Sequence, residues 1–183
     1  MKAILPLMAA SLILGTAAPA QTCREVVRDS SGRVTQTIDH QKSSNGNVRS
    51  VIRDASGRII GTSTSQTSAG GQSRTTYRDA SGRMIGAATT NGSSAGSSRT
   101  TYRDASGRTT GSATSRISGT SGSRTDFRDA SGRSAGSQTT NGSSGFVSST
   151  RRDASSRITG SSTGNGNFPA TPRVPVLPAG APN

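Results

Sequence analysis

The sequence predicts an all-β protein, an elongated array of about six 25-residue β-hairpin repeats that is meander-like or solenoid-like, with disordered termini. Two observations predict this fold: a turn motif recurs at a fixed step along the chain, and strand-forming residues flank each copy. Only 28% of the 183 residues are hydrophobic and 3% are aromatic. Such a composition does not provide the deep apolar cleft of a typical enzyme, so we expect a protein that is not an enzyme.

Residues 1–20 have the pattern of a secretory signal peptide. Met1-Lys2 is a positively charged start, an apolar run follows, and Ala18-Pro19-Ala20 is an A-x-A cleavage site. We expect cleavage after Ala20 and a bacterial protein that is secreted, periplasmic or attached to the cell surface. No later stretch reaches 18 apolar residues, so no transmembrane segment is expected in the mature chain. Cys23 is the only cysteine, which excludes an internal disulfide.

A β-hairpin repeat region is expected over residues 21–163. Its motif is Arg-Asp-Ala-Ser-Gly-Arg, with variant first and last copies, and successive copies are 25 or 24 residues apart. The sixth unit has Arg151 at the usual apolar position and Ser156 in place of the turn glycine, which suits a terminal cap. The units fall near 24–48, 49–73, 74–98, 99–123, 124–147 and 148–163.

The Asp-Ala-Ser-Gly part of each motif has the chemistry of a hairpin turn. Asp suits the first position of a type I turn, where its carboxylate accepts from backbone N–H groups, and Gly suits the left-handed position that follows. With a three-residue loop, Asp54 faces Arg58 and Ile52 faces Ile60. The predicted structural turn residues are Asp54, Gly57, Asp79, Gly82, Asp104, Gly107, Asp129 and Gly132.

Arginine is the residue type that predicts the function. In this pairing, one side of a hairpin carries two arginines with no acid opposite them, although Asp126 weakens this side in the fifth unit, and the formal net charge of the chain is +13. A guanidinium offers paired donors to phosphate, sulfate and carboxylate, so a regular row of them suits a periodic polyanion. The expected partners are anionic polysaccharide, lipopolysaccharide, extracellular DNA or the cell envelope, bound without sequence specificity. The predicted polyanion-binding residues are Arg49, Arg53, Arg74, Arg78, Arg99 and Arg103.

Residue types that carry catalysis or bind metals are scarce. His40 is the only histidine and lies in a polar stretch, which predicts a solvated loop residue. One His and one Cys cannot build a tetrahedral Cys/His metal site. Each motif Asp has an Arg beside it, which keeps the carboxylate ionised and makes it a poor general acid. We predict no catalytic residue, no metal and no cofactor.

The last segment, 164–183, differs from the repeats. Pro169, Pro172, Pro175 and Pro178 recur at every third residue. That spacing is typical of an extended polyproline II segment. We expect a semi-rigid, disordered tail.

Three units combine an aromatic residue, an Asp and a Gly-Arg pair, and they run from Tyr77 to Arg83, from Tyr102 to Arg108 and from Phe127 to Arg133. They resemble the YD or RHS repeats of bacterial surface and toxin proteins, although here an extra Arg separates the aromatic residue from the Asp. The resemblance covers about residues 24–163. It implies a secreted β-hairpin array and carries no catalytic residues to this chain.

Two alternatives fit the same sequence. The first is a self-assembling extracellular structural protein, similar to a curli-type functional amyloid. Stacked identical units would bring like Arg residues together at a cost of about 1 kcal/mol per contact in water, so self-association ranks second. The other alternative is a largely disordered basic secreted protein, because Ser, Gly and Thr are abundant and large apolar residues are few.

Overall fold

Twelve antiparallel β-strands form the structure, a computed structural model that describes residues 21–92, 96–118, 122–143 and 145–165. These residues contain no helix, so the predicted all-β class is confirmed, and so are the β-hairpin units. No helix in the described ranges could therefore cross a membrane. The predicted signal peptide at 1–20 and most of the predicted tail, at 166–183, lie outside the described residues. The strands are β1 (Gln21–Asp29), β2 (Val34–Lys42), β3 (Val48–Asp54), β4 (Ile59–Thr67), β5 (Ser73–Asp79), β6 (Met84–Gly92), β7 (Ser97–Asp104), β8 (Thr109–Ser118), β9 (Gly122–Asp129), β10 (Ser134–Ser143), β11 (Phe146–Arg152) and β12 (Ile158–Asn165).

The six hairpins close into a barrel. Each strand pairs with the strands before and after it, and β12 pairs with β1, where Val26 lies opposite Thr163. The predicted elongated array is therefore wrong. A linear array would leave two unpaired strand edges, whereas closure of the sheet satisfies the backbone groups of both. The sixth unit is not a terminal cap either, because it is one of the two hairpins that meet at this joint.

A β-bulge follows each turn and shifts the register. In the second unit Arg53 lies opposite Ile59, as the three-residue loop predicts, but Ile52 lies opposite Gly61. Ile60 is the extra residue of the bulge, so the predicted pairing of Ile52 with Ile60 is wrong by one residue. A bulge of this kind reverses which residues of the second strand face inward. Gly61 consequently faces the barrel interior.

The bulky residue that precedes each motif points into the barrel. Tyr77 is buried opposite Gly86, and Tyr102 is half-buried opposite Gly111. Alternation of large and small residues fills the end of the barrel that carries the Asp-Ala-Ser-Gly turns. We call these six residues the inner ring: Val27, Ile52, Tyr77, Tyr102, Phe127 and Arg151.

The glycine of each pair also lets the next hairpin approach closely. A Cβ built on Gly86 would lie 2.7 Å from the backbone carbonyl oxygen of Arg103, on the neighbouring hairpin. A Cβ on Gly160, at the end of the chain, would lie 2.5 Å from the carbonyl oxygen of Arg28 on β1. The joint between the last and first hairpins therefore has the same close contact as four of the other five interfaces, and Gln36 replaces the glycine between the first and second hairpins.

Hydrogen-bonded hydroxyl pairs occupy much of the interior below the inner ring. The Oγ of Ser65 lies 2.7 Å from the Oγ1 of Thr75, and the hydroxyl oxygens of Thr90 and Thr100 are 2.8 Å apart. None of the described buried side-chain nitrogens or oxygens lacks a hydrogen-bond partner. Hydroxyls that satisfy one another can be buried at little cost, which allows a chain with few large apolar residues to have a closed interior.

Candidate polyanion-binding surface

All six predicted polyanion-binding arginines lie on the outer wall of the barrel. They occupy β3, β5 and β7, two to a strand, at positions that alternate with the inward-facing residues. Arg53 is half-buried and the other five are exposed. They form two rows around the wall, which we name by their distance from the turns. The tip row is Arg53, Arg78 and Arg103, and the base row is Arg49, Arg74 and Arg99.

The tip row has a structural role that the sequence reasoning missed. The Nη1 of Arg78 donates to the carbonyl oxygen of Gly82 at 2.8 Å, and the Nη1 of Arg103 donates to that of Gly107 at 2.8 Å. Arg53 makes the same contact with Gly57 at 3.1 Å. The signal in the sequence is the four-residue spacing between the first Arg and the turn Gly. The contact orders the guanidinium and leaves its Nε and Nη2 donors for other partners.

Carboxylates neutralise outward arginines of the wall at two places. Asp39, on β2, accepts a hydrogen bond from the Nε of Arg24 at 2.6 Å and lies 3.7 Å from the Nε of Arg53. The Arg24 hydrogen bond holds the pKa of Asp39 below its usual range. On the other side of the barrel, Asp126 accepts from the Nε of Arg124 at 2.9 Å. The positive charge is therefore reduced on the first, second and fifth hairpins.

The third and fourth hairpins carry outward arginines without such partners. Arg74, Arg78, Arg99 and Arg103 form no ion pair within 4.0 Å with any described residue. Two arginines on one strand are about 13 Å apart, and equivalent arginines on adjacent hairpins are about 10 Å apart. We call these four residues the basic patch. Arg49 and Arg53 continue its two rows towards Asp39.

The predicted turn residues hold the turns at the same end of the barrel. In the second unit the N–H of Asp54 donates to the carbonyl oxygen of Arg58 at 2.9 Å, and the N–H of Gly57 donates to that of Asp54 at 3.0 Å. Gly57 has a φ of +86°, in the left-handed region. The turns at Asp79 and Gly82, Asp104 and Gly107, and Asp129 and Gly132 have the same two backbone hydrogen bonds.

The turn carboxylates are engaged locally and do not pair with the arginine that follows the glycine. The Oδ1 of Asp79 accepts from the Oγ of Ser81 at 2.6 Å and from the backbone N–H groups of Ser81 and Arg83, both at 2.9 Å. The Ser81 hydroxyl is the main reason that the pKa of Asp79 lies below its usual range. The guanidinium of Arg83 lowers this pKa only through its charge.

One interior cluster has the residue types of a catalytic relay. The Nδ1 of His40 lies 2.9 Å from the Oγ of Ser50, and its Nε2 lies 3.5 Å from the Oε2 of Glu25. The prediction that His40 is a solvated loop residue is wrong, because it lies on β2 and faces the interior. Sequence alternation along β2 could have placed it there, had the strand been recognised.

The repeat indicates a structural role for this cluster. His40 and Ser50 occupy the same positions in their units as the hydroxyl pair Ser65 and Thr75. Ser50 is only 5% exposed, so a substrate would have no direct approach to its hydroxyl. We therefore interpret the contact as the first unit's form of a core hydrogen bond. No group of His, Cys, Asp and Glu side chains in the described ranges is suited to holding a metal ion.

No protein-family model matches the chain, and no curated protein sequence matches it. The similarity to YD or RHS repeats stays a prediction from the motif residues.

Proposed function

We propose that this protein is a non-enzymatic binder of polyanions and that the basic patch is its contact surface. The observation that carries the proposal is that Arg74, Arg78, Arg99 and Arg103 project outward from two adjacent hairpins without carboxylate partners. Elsewhere on the wall, the outward arginines Arg24 and Arg124 are neutralised by Asp39 and Asp126.

A long anionic chain suits this surface better than a small anion does. The wall is convex and exposed, so it cannot enclose a small ligand, but a polymer can contact several guanidiniums together. Each contact releases condensed counterions, and the contributions add along the polymer. The turn contact made by Arg78 and Arg103 restricts their guanidiniums, which lowers the entropy lost on binding.

The proposed ligands are anionic polysaccharide, lipopolysaccharide or extracellular DNA, encountered outside the cytoplasm. Export is proposed from the signal-peptide pattern that ends at Ala20. Closure of the barrel counts against the fibre alternative, because each described strand is paired on both of its edges.

Salt-dependent binding of the full chain to duplex DNA and heparin tests the proposal. The variant with Gln at Arg74, Arg78, Arg99 and Arg103 removes four contacts. Its slope of log affinity against log salt for duplex DNA should be shallower by about 3.6, since each contact contributes about 0.9. Affinity for heparin should fall in parallel.

A matched variant removes the same charge from the turns, with Gln at Arg58, Arg83, Arg108 and Arg133. Their side chains lie at the barrel end and outside the two rows, so most of the slope should remain. An equal loss of slope in both variants would contradict the proposal and reduce the effect to net charge. Circular dichroism of both variants checks that the barrel is intact.

A further inference from the structure

Exposed aliphatic side chains lie together on one arc of the barrel end that carries the Asp-Ala-Ser-Gly turns. They directly follow the turns, and their exposed fractions run from 36% to 49%. In the fourth and fifth hairpins the same positions hold Thr109, Thr110, Ser134 and Ala135. We call the exposed aliphatic residues of the other four hairpins the aliphatic arc: Val34, Ile59, Ile60, Met84, Ile85 and Ile158.

Closure of the barrel creates this arc. Ile158 begins β12 and Val34 begins β2, and 123 residues separate them in a chain of 183. Both lie near Arg28, because Arg28 is opposite Val34 on one side and opposite Ser161 of β12 on the other. The sixth, first, second and third hairpins are therefore consecutive around the ring.

Positive charge surrounds the arc. The four motifs on these hairpins contain eight arginines and four aspartates, a net charge of +4. Backbone N–H groups of the turns partly compensate the aspartate charge, as at Asp54, whose Oδ1 accepts from the N–H groups of Ser56 and Arg58. The Nη1 of Arg28 donates to Gly32 at 3.1 Å and that of Arg152 to Ser156 at 2.9 Å. Guanidiniums and aliphatic side chains thus occupy one end of the molecule together.

We propose that this end of the barrel docks on an anionic lipid bilayer. Its aliphatic arc would enter the boundary between headgroups and acyl chains, and its guanidiniums would bind lipid phosphates. Exposed apolar patches rimmed by polar groups are typical of protein or membrane contacts. The net positive charge favours the membrane, because an anionic surface supplies many phosphates and each nearby Arg adds attraction. The aliphatic residues of this surface lie outside the basic patch, and Arg78 of the third motif is the one basic-patch arginine among its eight.

Tryptophan fluorescence tests the inference directly, because the chain contains no Trp. A full-length Ile85→Trp variant should shift its emission to shorter wavelength with vesicles of equal parts phosphatidylglycerol and phosphatidylcholine. A matched Ile117→Trp variant should show no shift. Ile117 is also exposed, at 65%, but it lies at the end of β8 remote from the turns. Vesicles of phosphatidylcholine alone should leave both variants unchanged.

Loss of binding is measured with the variant Ile60→Ser/Ile85→Ser. Its partition into the anionic vesicles should fall about tenfold or more, because two apolar side chains no longer enter the interface. Its heparin affinity should stay the same, which separates this test from that of the basic patch. Equal shifts at Ile85 and Ile117, or none, would overturn the inference. If the emission of Ile85→Trp already lies at shorter wavelength than that of Ile117→Trp without vesicles, and the variant sediments as a dimer in analytical ultracentrifugation, the inference is overturned, and a second copy of the chain covers the aliphatic arc instead.

Discussion

Replacement of Gly86 by Ala should destabilise the barrel, although Ala is normally the better residue in a strand. A Cβ at Gly86 would lie 2.7 Å from the carbonyl oxygen of Arg103, and that oxygen belongs to the backbone of the next hairpin. A backbone atom cannot rotate away, so the two hairpins must separate by several tenths of an ångström. Overpacking of this kind costs about 1–3 kcal/mol.

Gly92, at the end of the same strand β6, provides the control. A Cβ there meets no atom within 4 Å. Gly92→Ala should therefore leave the free energy of unfolding unchanged or raise it by about 0.4–1 kcal/mol, because Ala restricts the unfolded chain. The two substitutions add the same methyl group to one strand, and only Gly86→Ala should lower the free energy of unfolding.

Urea unfolding followed by far-ultraviolet circular dichroism measures both effects. The midpoint should fall for Gly86→Ala and stay level or rise for Gly92→Ala, with similar slopes. A higher midpoint for Gly86→Ala would refute the reasoning. It would mean that the two hairpins do not approach closely at Gly86, and that the equivalent Gly160 does not hold the last and first hairpins close together either.

Two further predictions concern charge. The pKa values of Asp39, Asp54 and Asp79 are lowered in the folded protein. The ionised carboxylates therefore contribute fully to stability above the ordinary Asp pKa of about 3.9. This contribution is lost as the pH falls through the lower pKa values of the folded state. The thermal midpoint should drop in acid, and less in Asp54→Asn/Asp79→Asn; a midpoint that rises in acid would contradict this. Arg151→Met should leave the free energy of unfolding in urea level or raise it, because burial of the guanidinium costs more than the charge of Glu25 returns. Arg74→Met, on the exposed wall, should change it by less than about 0.5 kcal/mol, and a clear loss of stability in Arg151→Met alone would contradict this reasoning.

The hairpins could be predicted from the sequence because their determinants are local. Asp54 and Gly57 lie within one turn, and each makes its main contact inside that turn. The outward direction of Arg74 and Arg78 follows from strand alternation alone. These features depend on neighbours in the chain, and a repeated motif displays them several times.

Closure, register and the interior could not be predicted in the same way. Whether β12 pairs with β1 depends on the curvature of the whole sheet, which no single unit encodes. The bulge at Ile60 shifts every later pair, and the turn motif does not specify it. His40 was misplaced because its stretch contains polar residues, and a hydroxyl-lined interior reverses the usual link between polarity and exposure.

The departures from the repeat have a common location. Glu25 stands where the next unit has Ser50, His40 stands where it has Ser65, and Arg151 stands where other units have Tyr77 or Phe127. All three face inward on strands at or near the joint. Burial lowers the pKa of Arg151, and the charge of Glu25 opposes that shift.

Arg151 is further placed by its neighbours on the inner wall. Its Cζ lies 5.9 Å from the centre of the Phe127 ring, and its Nη2 donates to the Oε1 of Gln138 at 3.4 Å. Near-identical hairpins do not by themselves specify which two must meet. A negative group on the first hairpin and a positive group on the last attract each other inside the barrel when β12 pairs with β1. The irregular first and last units therefore favour the closed ring over open association of equivalent edges.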